Sequence, residues 1–383
     1  MPFVLAVVVG DVERDDAGPD PSAKHVLLTT TDGLIEDATS SILSPDGRTF
    51  YYCANAADIE RRHIWAVPVS GGQPRQMTSG RGIETRPAPI ASGAFATLSA
   101  AWNMPQSLGI WSSPAAQKII FPTTRSGFPT EAHVEPELVI THPEDRAFEI
   151  KNQLFLPKNS RPGEKHPAMI FVHGGPVRQM LLGYHYMFFY HMAYAVNQYF
   201  ADRGYVVISV NYRSGIGYGR DFRLAPDRGA GGSSEYRDVL AAARYLHSRP
   251  DVVPGRIGLW GLSYGGLLTA LGLSRNSDIF KAGVDIAGVH LWGNSLDTNS
   301  TAFKASAVAT VDQWTSPVLL VQGDDDRNVA FSQTTGLVQL LRARSIPHEL
   351  IVFPDEVHDF LVFAKWLRVF HAAEDFFLRK LGK

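Results

Sequence analysis

The chain has 383 residues, 45% of them hydrophobic and 19% charged, so it can bury ordinary globular cores in two or three domains. A net charge of −2 leaves no electrostatic footprint for a nucleic-acid partner, and the one cysteine, Cys53, excludes a disulfide framework. No apolar run approaches the ~20 residues of a membrane-spanning helix, so no membrane partner is expected and the chain reads as soluble and cytoplasmic.

The start, MPFVLAVVVGDVERDD, is briefly apolar but has no positive lead and no small-residue cleavage site. Pro2 to Val9 therefore reads as a strand rather than a signal peptide. Residues 1–135 show almost no helical periodicity and read as short strands broken by Gly, Pro, Ser and Asp. They also repeat. SPDGRTFYY at Ser44 leads to HIWAVPVSGG at His63, and the skeleton returns 46 residues on: Gly93 answers Gly47 (93 − 47), and Ile110-Trp111 answers Ile64-Trp65 (110 − 64). A fainter copy, KHVLLTTTDG, runs from Lys24 to Gly33. Such a period matches the blade of a β-propeller; the competing reading is a meander with chance similarity. A closed ring needs roughly 4 to 8 blades, and this segment holds at most three. The ring is then incomplete, or another chain completes it, or the strands pack on the neighbouring domain. An incomplete ring leaves strand edges that favour pairing between chains, so a homo-oligomer is expected.

Residues 136–383 have a different texture. ELVITHPEDRAFEIKNQLFLP, from Glu137, reads as a hairpin. Strands and helices then alternate: AMIFV, the helix MAYAVNQYFADRG, YVVISV, the helix SEYRDVLAAARYLHSR with Ser233 or Ser234 as cap, RIGLW, the helix YGGLLTALGLSR, AGVDIAG, PVLLVQG, the helix SQTTGLVQLLRARS and ELIVF. A long amphipathic helix closes the chain from Asp359 to Leu381. Strands apolar on both faces, alternating with helices, argue for a parallel sheet covered on both sides.

In such sheets the reactive groups sit at the carboxyl ends of strands. GLSYGG follows RIGLW and carries G-x-S-x-G at Gly261, Ser263 and Gly265. A serine on a tight strand-to-helix turn needs glycine two residues to either side, where a side chain would strike the adjacent strand and helix. It exposes its hydroxyl at the positive end of a helix. Without that flanking strand and helix, a glycine-rich turn with an incidental serine would be the better reading. A serine nucleophile needs a base, and the base an orienting acid, here in the chain order Ser, Asp, His. PVLLVQG runs into Asp324-Asp325-Asp326, and ELIVF leads to PDEVHDF, which supplies His358. Asp325 and Asp326 both lie within reach of a turn toward His358. His348 and His371 read as structural. The oxyanion donors expected are the N–H of Tyr264 and, from the HGGP loop, that of Gly175; His173 reads as a brace of that loop. The aspartate run lacks calcium-loop spacing, no His/Cys cluster has zinc spacing, and GIGYG at Gly215 lacks the ending of a phosphate loop. No metal or cofactor is expected. The aromatic run YHYMFFYHMAY at Tyr184 fits an apolar substrate pocket and a buried helix face equally well.

HGGP, NYRSGIGYG, GLSYGG, GDDDRNV and PDEVH, in this order, resemble the catalytic domain of the prolyl oligopeptidase family of serine peptidases, which includes acylaminoacyl and dipeptidyl peptidases. The resemblance covers about residues 137–383, and the N-terminal strands are similar to the last part of the family's propeller. It implies an α/β-hydrolase fold preceded by a partial β-propeller-like all-β domain. It places the acid in a G-x-x-D-x-x-V pattern, here Gly323, Asp326 and Val329, and gives Asn328 the substrate's backbone carbonyl to bind. It implies hydrolysis of short peptides, including N-blocked ones, with hydrolysis of short acyl esters as the alternative. A binding module with a dead site is the rival reading of a different class, and the intact Ser263, Asp326 and His358 pattern argues against it. The paired glutamates by which dipeptidyl peptidases hold a free amino terminus are not identifiable.

Overall fold

The computed structural model describes residues 6–8, 25–29, 33–35, 40–90, 93–122, 125–293 and 297–382. Contacts divide the chain into two compact units: Met1–Thr130 with Leu181–Met187, and Glu131–Met180 with Phe188–Lys383. The sequence reading put the division between 135 and 136.

In the first unit β1 (Ala6–Val8) pairs antiparallel with β2 (His25–Leu27). The other residues expected in the first strand, and residues 24 and 30–32 of the faint third copy, lie outside the described residues. β3 (Ser41–Leu43), β4 (Thr49–Ala54), β5 (His63–Pro68) and β6 (Arg75–Gln76) form one four-stranded meander. β7 (Ile83–Pro89), β8 (Phe95–Ala100), β9 (Ser107–Ser113) and β10 (Ala116–Phe121) form a second. The repeat is structural: β8 begins and ends 46 residues after β4 (95 − 49 and 100 − 54). Gly47 and Gly93 sit at φ 67° and 78° in the two equivalent turns, a backbone region that favours glycine. Ile64, Cys53, Met77, Phe95 and Trp111 share one core, in which Phe95 stacks on Trp111 at 6.4 Å. This propeller-like unit is what the tandem turn signals encode.

The second unit is built on an eight-stranded sheet. Its elements in chain order are β11 (Glu137–Thr141), β12 (Ile150–Phe155), β13 (His166–Val172), α1 (Phe188–Asp202), β14 (Val206–Val210), α2 (Arg220–Arg223), α3 (Glu235–Ser248), β15 (Val252–Leu262), α4 (Tyr264–Arg275), β16 (Phe280–Ile286), α5 (Thr301–Lys304), β17 (Val318–Gly323), α6 (Ser332–Ala343), β18 (His348–Phe353) and α7 (Phe363–Leu381). The strand order is β11-β12-β14-β13-β15-β16-β17-β18, parallel from β14 onward and antiparallel at the β11–β12 edge. β13 and β14 are buried throughout, as parallel strands covered on both faces must be. Neighbouring residues of β15 show the two layers. A methyl at Gly258 would meet Phe377 and Leu381 of α7, whereas Leu259 touches Gly272 of α4. Successive strand residues face opposite ways, so α4 and α7 cover opposite faces.

Two local expectations change. The last helix begins at Phe363 rather than Asp359, because residues 354–362 are held as a loop: the buried Glu356 accepts the N–H of Leu361 at 2.8 Å and pairs with Lys365 at 2.7 Å. Neither Ser233 nor Ser234 caps α3 with its side chain. Their hydroxyls donate to the carbonyls of Ala305 and Pro226, both at 2.7 Å.

Candidate active site

Parallel pairing sets the level of the strand ends. Leu262 of β15 aligns with Ile286 of β16, Ile286 with Val321 of β17, and Val321 with Ile351 of β18. Ser263 therefore leaves the same sheet edge as the loops that carry Asp326 and His358.

Ser263 occupies the turn between β15 and α4 at φ 63°, ψ −117°. Such angles cost a non-glycine residue of order 1–3 kcal/mol and persist only where the surroundings fix them. Here the Ser263 N–H donates to the carbonyl of Ile286 at 2.8 Å. The flanking glycines allow close packing: a Cβ at Gly261 would come within 2.4 Å of the Val172 carbonyl oxygen, and one at Gly265 within 2.2 Å of the same atom. The elbow is thus pressed onto the end of β13, and Ser263 stays partly exposed while its neighbours are buried.

Of the three aspartates, only Asp326 turns inward. Its Oδ2 lies 2.7 Å from His358 Nδ1 and accepts from Gln322 Nε2 at 3.1 Å; its Oδ1 accepts the N–H groups of Asn328 and Val329, both at 2.9 Å. Burial raises the carboxyl pKa, but the hydrogen bond to His358 and the backbone N–H of Val329 outweigh it, and the group stays below the usual carboxylate range. Asp324 instead accepts the Asp355 N–H at 2.8 Å, and Asp325 pairs with the exposed Arg327 at 3.1 Å. Since a carboxylate only accepts, His358 carries its proton on Nδ1 and leaves Nε2 as the basic nitrogen. Asn328 is exposed on the same loop, two residues past the acid.

The HGGP loop leaves β13 beside the elbow. A Cβ at Gly174 would lie 3.3 Å from Ser263 Cβ and 3.1 Å from the Tyr190 hydroxyl. Gly175 is exposed at φ 117°. Tyr264 opens α4, where its N–H has no intrahelical acceptor. His173 is fully buried, donates Nδ1–H to the Gly174 carbonyl at 2.9 Å, and stacks on Tyr212 at 4.1 Å. Burial pushes its pKa down to about 3, so it is a neutral brace.

Some contributors were not anticipated. Glu235, fully buried in the first turn of α3, accepts the Tyr264 hydroxyl at 2.8 Å, the Ser214 hydroxyl at 2.6 Å and the Gly229 N–H at 3.2 Å. It ties the residue after Ser263 to two loops. An acid in a first helical turn is ordinary, which hides it in the sequence. One turn on, Asp238 joins Asp145 in clasping Arg213, at 2.7 and 2.8 Å, and fixes the loop after β14. The aromatic run divides. On α1, Phe189 packs on Trp366 and Tyr194 on Phe155, a buried helix face, whereas the Tyr190 hydroxyl reaches the HGGP loop. A separate cavity of about 930 Å³ is lined by Leu291, Phe303, Lys304, Leu340 and Arg344, among others, and by none of the residues expected at the site. Among the described residues no three His, Cys, Asp or Glu side chains gather as metal ligands, and no helix is long and apolar enough to cross a membrane.

A doubly covered, mostly parallel sheet with an elbow serine and a hydrogen-bonded His–Asp pair at its carboxyl edge defines the α/β-hydrolase class. Within that class the chain belongs to the prolyl oligopeptidase family, whose model matches residues 190–383. It is 30% identical over 218 residues to dipeptidyl aminopeptidase BIII of Pseudoxanthomonas mexicana, a match covering 51% of this chain and 30% of that protein. To dipeptidyl-peptidase 5 of Aspergillus fumigatus it is 24% identical over 347 residues, 82% of this chain and 46% of that one. In fold it resembles an acylaminoacyl peptidase solved with Z-Gly-Gly-Phe-chloromethyl ketone (TM-score 0.74, 22% identity, 95% of this chain, 58% of that chain). The uncomplexed acylaminoacyl peptidase of Pyrococcus horikoshii is similar at TM-score 0.73 and 22% identity, again with 95% and 58% covered. The chain thus spans less than half of these curated relatives and somewhat over half of the solved ones.

Proposed function

We propose that this chain is a serine hydrolase that cleaves short peptides, N-blocked ones included, through an acyl-enzyme on Ser263. The observation that carries the reading is the 2.7 Å hydrogen bond between His358 and Asp326 on the sheet edge where the strained elbow presents Ser263. His358 Nε2 takes the Ser263 proton as Oγ attacks the scissile carbonyl. The new oxyanion receives the N–H groups of Tyr264 and Gly175, donors worth ~3 kcal/mol of barrier each. Asp326 stabilises the imidazolium without itself taking the proton. His358 then protonates the leaving amine, and water attacks the acyl-enzyme by the same steps in reverse. Asn328 supplies a polar group for the substrate's backbone. Short acyl esters would follow the same route with an easier leaving group. Parallel rates on N-acetyl aminoacyl anilides, free aminoacyl anilides and p-nitrophenyl esters, each with Ser263→Ala as control, test the reading. Hydrolysis that survives in the variant well above the roughly 10³- to 10⁴-fold over water that a site lacking its nucleophile retains would overturn it.

A further inference from the structure

Two arginines flank the candidate site, and they differ in one respect. Arg327 is 81% exposed in its side chain and pairs with Asp325. Arg178, three residues past Gly175 in the HGGP loop, is half-buried. One of its head-group nitrogens donates to the Val177 carbonyl at 2.6 Å, while its Nε is buried with no acceptor. Among the described residues no carboxylate lies within ion-pair distance of it. Burying part of a cation without an anion is unfavourable, and a charged donor left unmet costs more than a neutral one.

Its position links it to the chemistry. A Cβ at Gly175 would lie 3.1 Å from Arg178 Cγ, so the side chain packs along the very residue expected to donate to the oxyanion. Its charge and a side-chain hydrogen bond both reach the hydroxyl of Tyr190, which borders Gly174 and through it Ser263. The exposed Asp359, beside His358, reaches that hydroxyl as well, but water screens it more. A guanidinium is a rigid planar fork that matches a carboxylate with two parallel hydrogen bonds.

We infer that Arg178 is a substrate-binding residue that receives a carboxylate, so that the preferred substrates of the proposed hydrolase are peptides carrying an anionic group close to the scissile bond. This rests on the reading of Ser263 as nucleophile only for turnover; binding is independent of it. The carboxylate could be the free terminus of a short leaving peptide or an acidic group on the acyl side.

The full chain carrying Ser263→Ala, titrated calorimetrically, separates the proposal from the chemistry. Two ligand pairs distinguish the sources: an acetylated tripeptide as free acid against its amide, and a succinyl against an acetyl aminoacyl anilide. In at least one pair the anionic member should bind about tenfold or more tighter. Adding Arg178→Gln should bring that ratio close to one, and Arg178→Lys should keep part of it, as a point charge without the fork. Equal affinities within both pairs, no binding of any member, or a preference that survives Arg178→Gln would each overturn the proposal. If the preference is found while wild-type protein hydrolyses nothing, the binding assignment stands and the hydrolase reading fails.

Discussion

Replacing Asp326 with asparagine changes one oxygen to an amino group, and the structure says where that group goes. Oδ1 accepts two backbone N–H groups, from Asn328 and Val329, and only an oxygen can keep both. The new amide nitrogen is therefore forced to the Oδ2 position, 2.7 Å from His358 Nδ1 and 3.1 Å from the amide nitrogen of Gln322. It donates to Nδ1, which moves the imidazole proton to Nε2, the nitrogen needed as base. In a related triad this wrong tautomer costs about 10⁴ in turnover, or about 5.4 kcal/mol at 1.36 per tenfold. Asp324→Asn keeps an oxygen for the Asp355 N–H, and Asp325→Asn loses only an exposed ion pair of about 0–1 kcal/mol. Both should lose less than about tenfold. The assay is kcat and KM of all three variants on one substrate, with thermal unfolding to confirm folding. A loss under about 100-fold for Asp326→Asn, or an equal loss at Asp324 or Asp325, would refute this reasoning.

Tyr264→Phe removes one donor from the buried Glu235 carboxylate and should destabilise the fold by about 1–3 kcal/mol in urea titration; an unchanged midpoint would contradict the role given to that contact. The unfolded chain protonates His173 below about 6.5, whereas the folded chain does so only near 3. Stability held by this group is therefore complete above pH 6.5 and falls, at up to about 1.4 kcal/mol per unit, as pH drops toward 3, with Asp326 adding to the loss at the acid end. Urea midpoints level between pH 6.5 and 4 would contradict this. EDTA should leave hydrolysis unchanged, and loss restored by added zinc or calcium would point to a metal mechanism. The outer strand β10 exposes Ile120 and Phe121, so light scattering at micromolar concentration should find a dimer or larger species; a strict monomer would count against edge pairing.

The elements easiest to read were those whose signal is local. The all-apolar strands β13 and β14, the glycines around Ser263 and the 46-residue spacing of the meanders each announce themselves within a short window. The choice among the three aspartates was not local: a turn could present Asp325 as well as Asp326, only the resemblance named Asp326, and the grip that holds Asp326 toward His358 comes from Gln322, Asn328 and Val329. Glu235 and the Arg213 clasp lay beyond reach because their side-chain partners come from 21 to 68 residues away. Ser233 and Ser234 misled because a serine before a helix looks like a cap, yet tertiary carbonyls took both hydroxyls.

The central claim is that Ser263 is the nucleophile, oriented toward His358 and Asp326. A fluorophosphonate, which forms a covalent bond only with an activated serine, tests it most directly. Peptide mapping by mass spectrometry after labelling should place one adduct on Ser263, absent in Ser263→Ala and greatly slowed in His358→Ala. No adduct on the folded wild-type chain, or an adduct on another residue that persists in Ser263→Ala, would contradict the account.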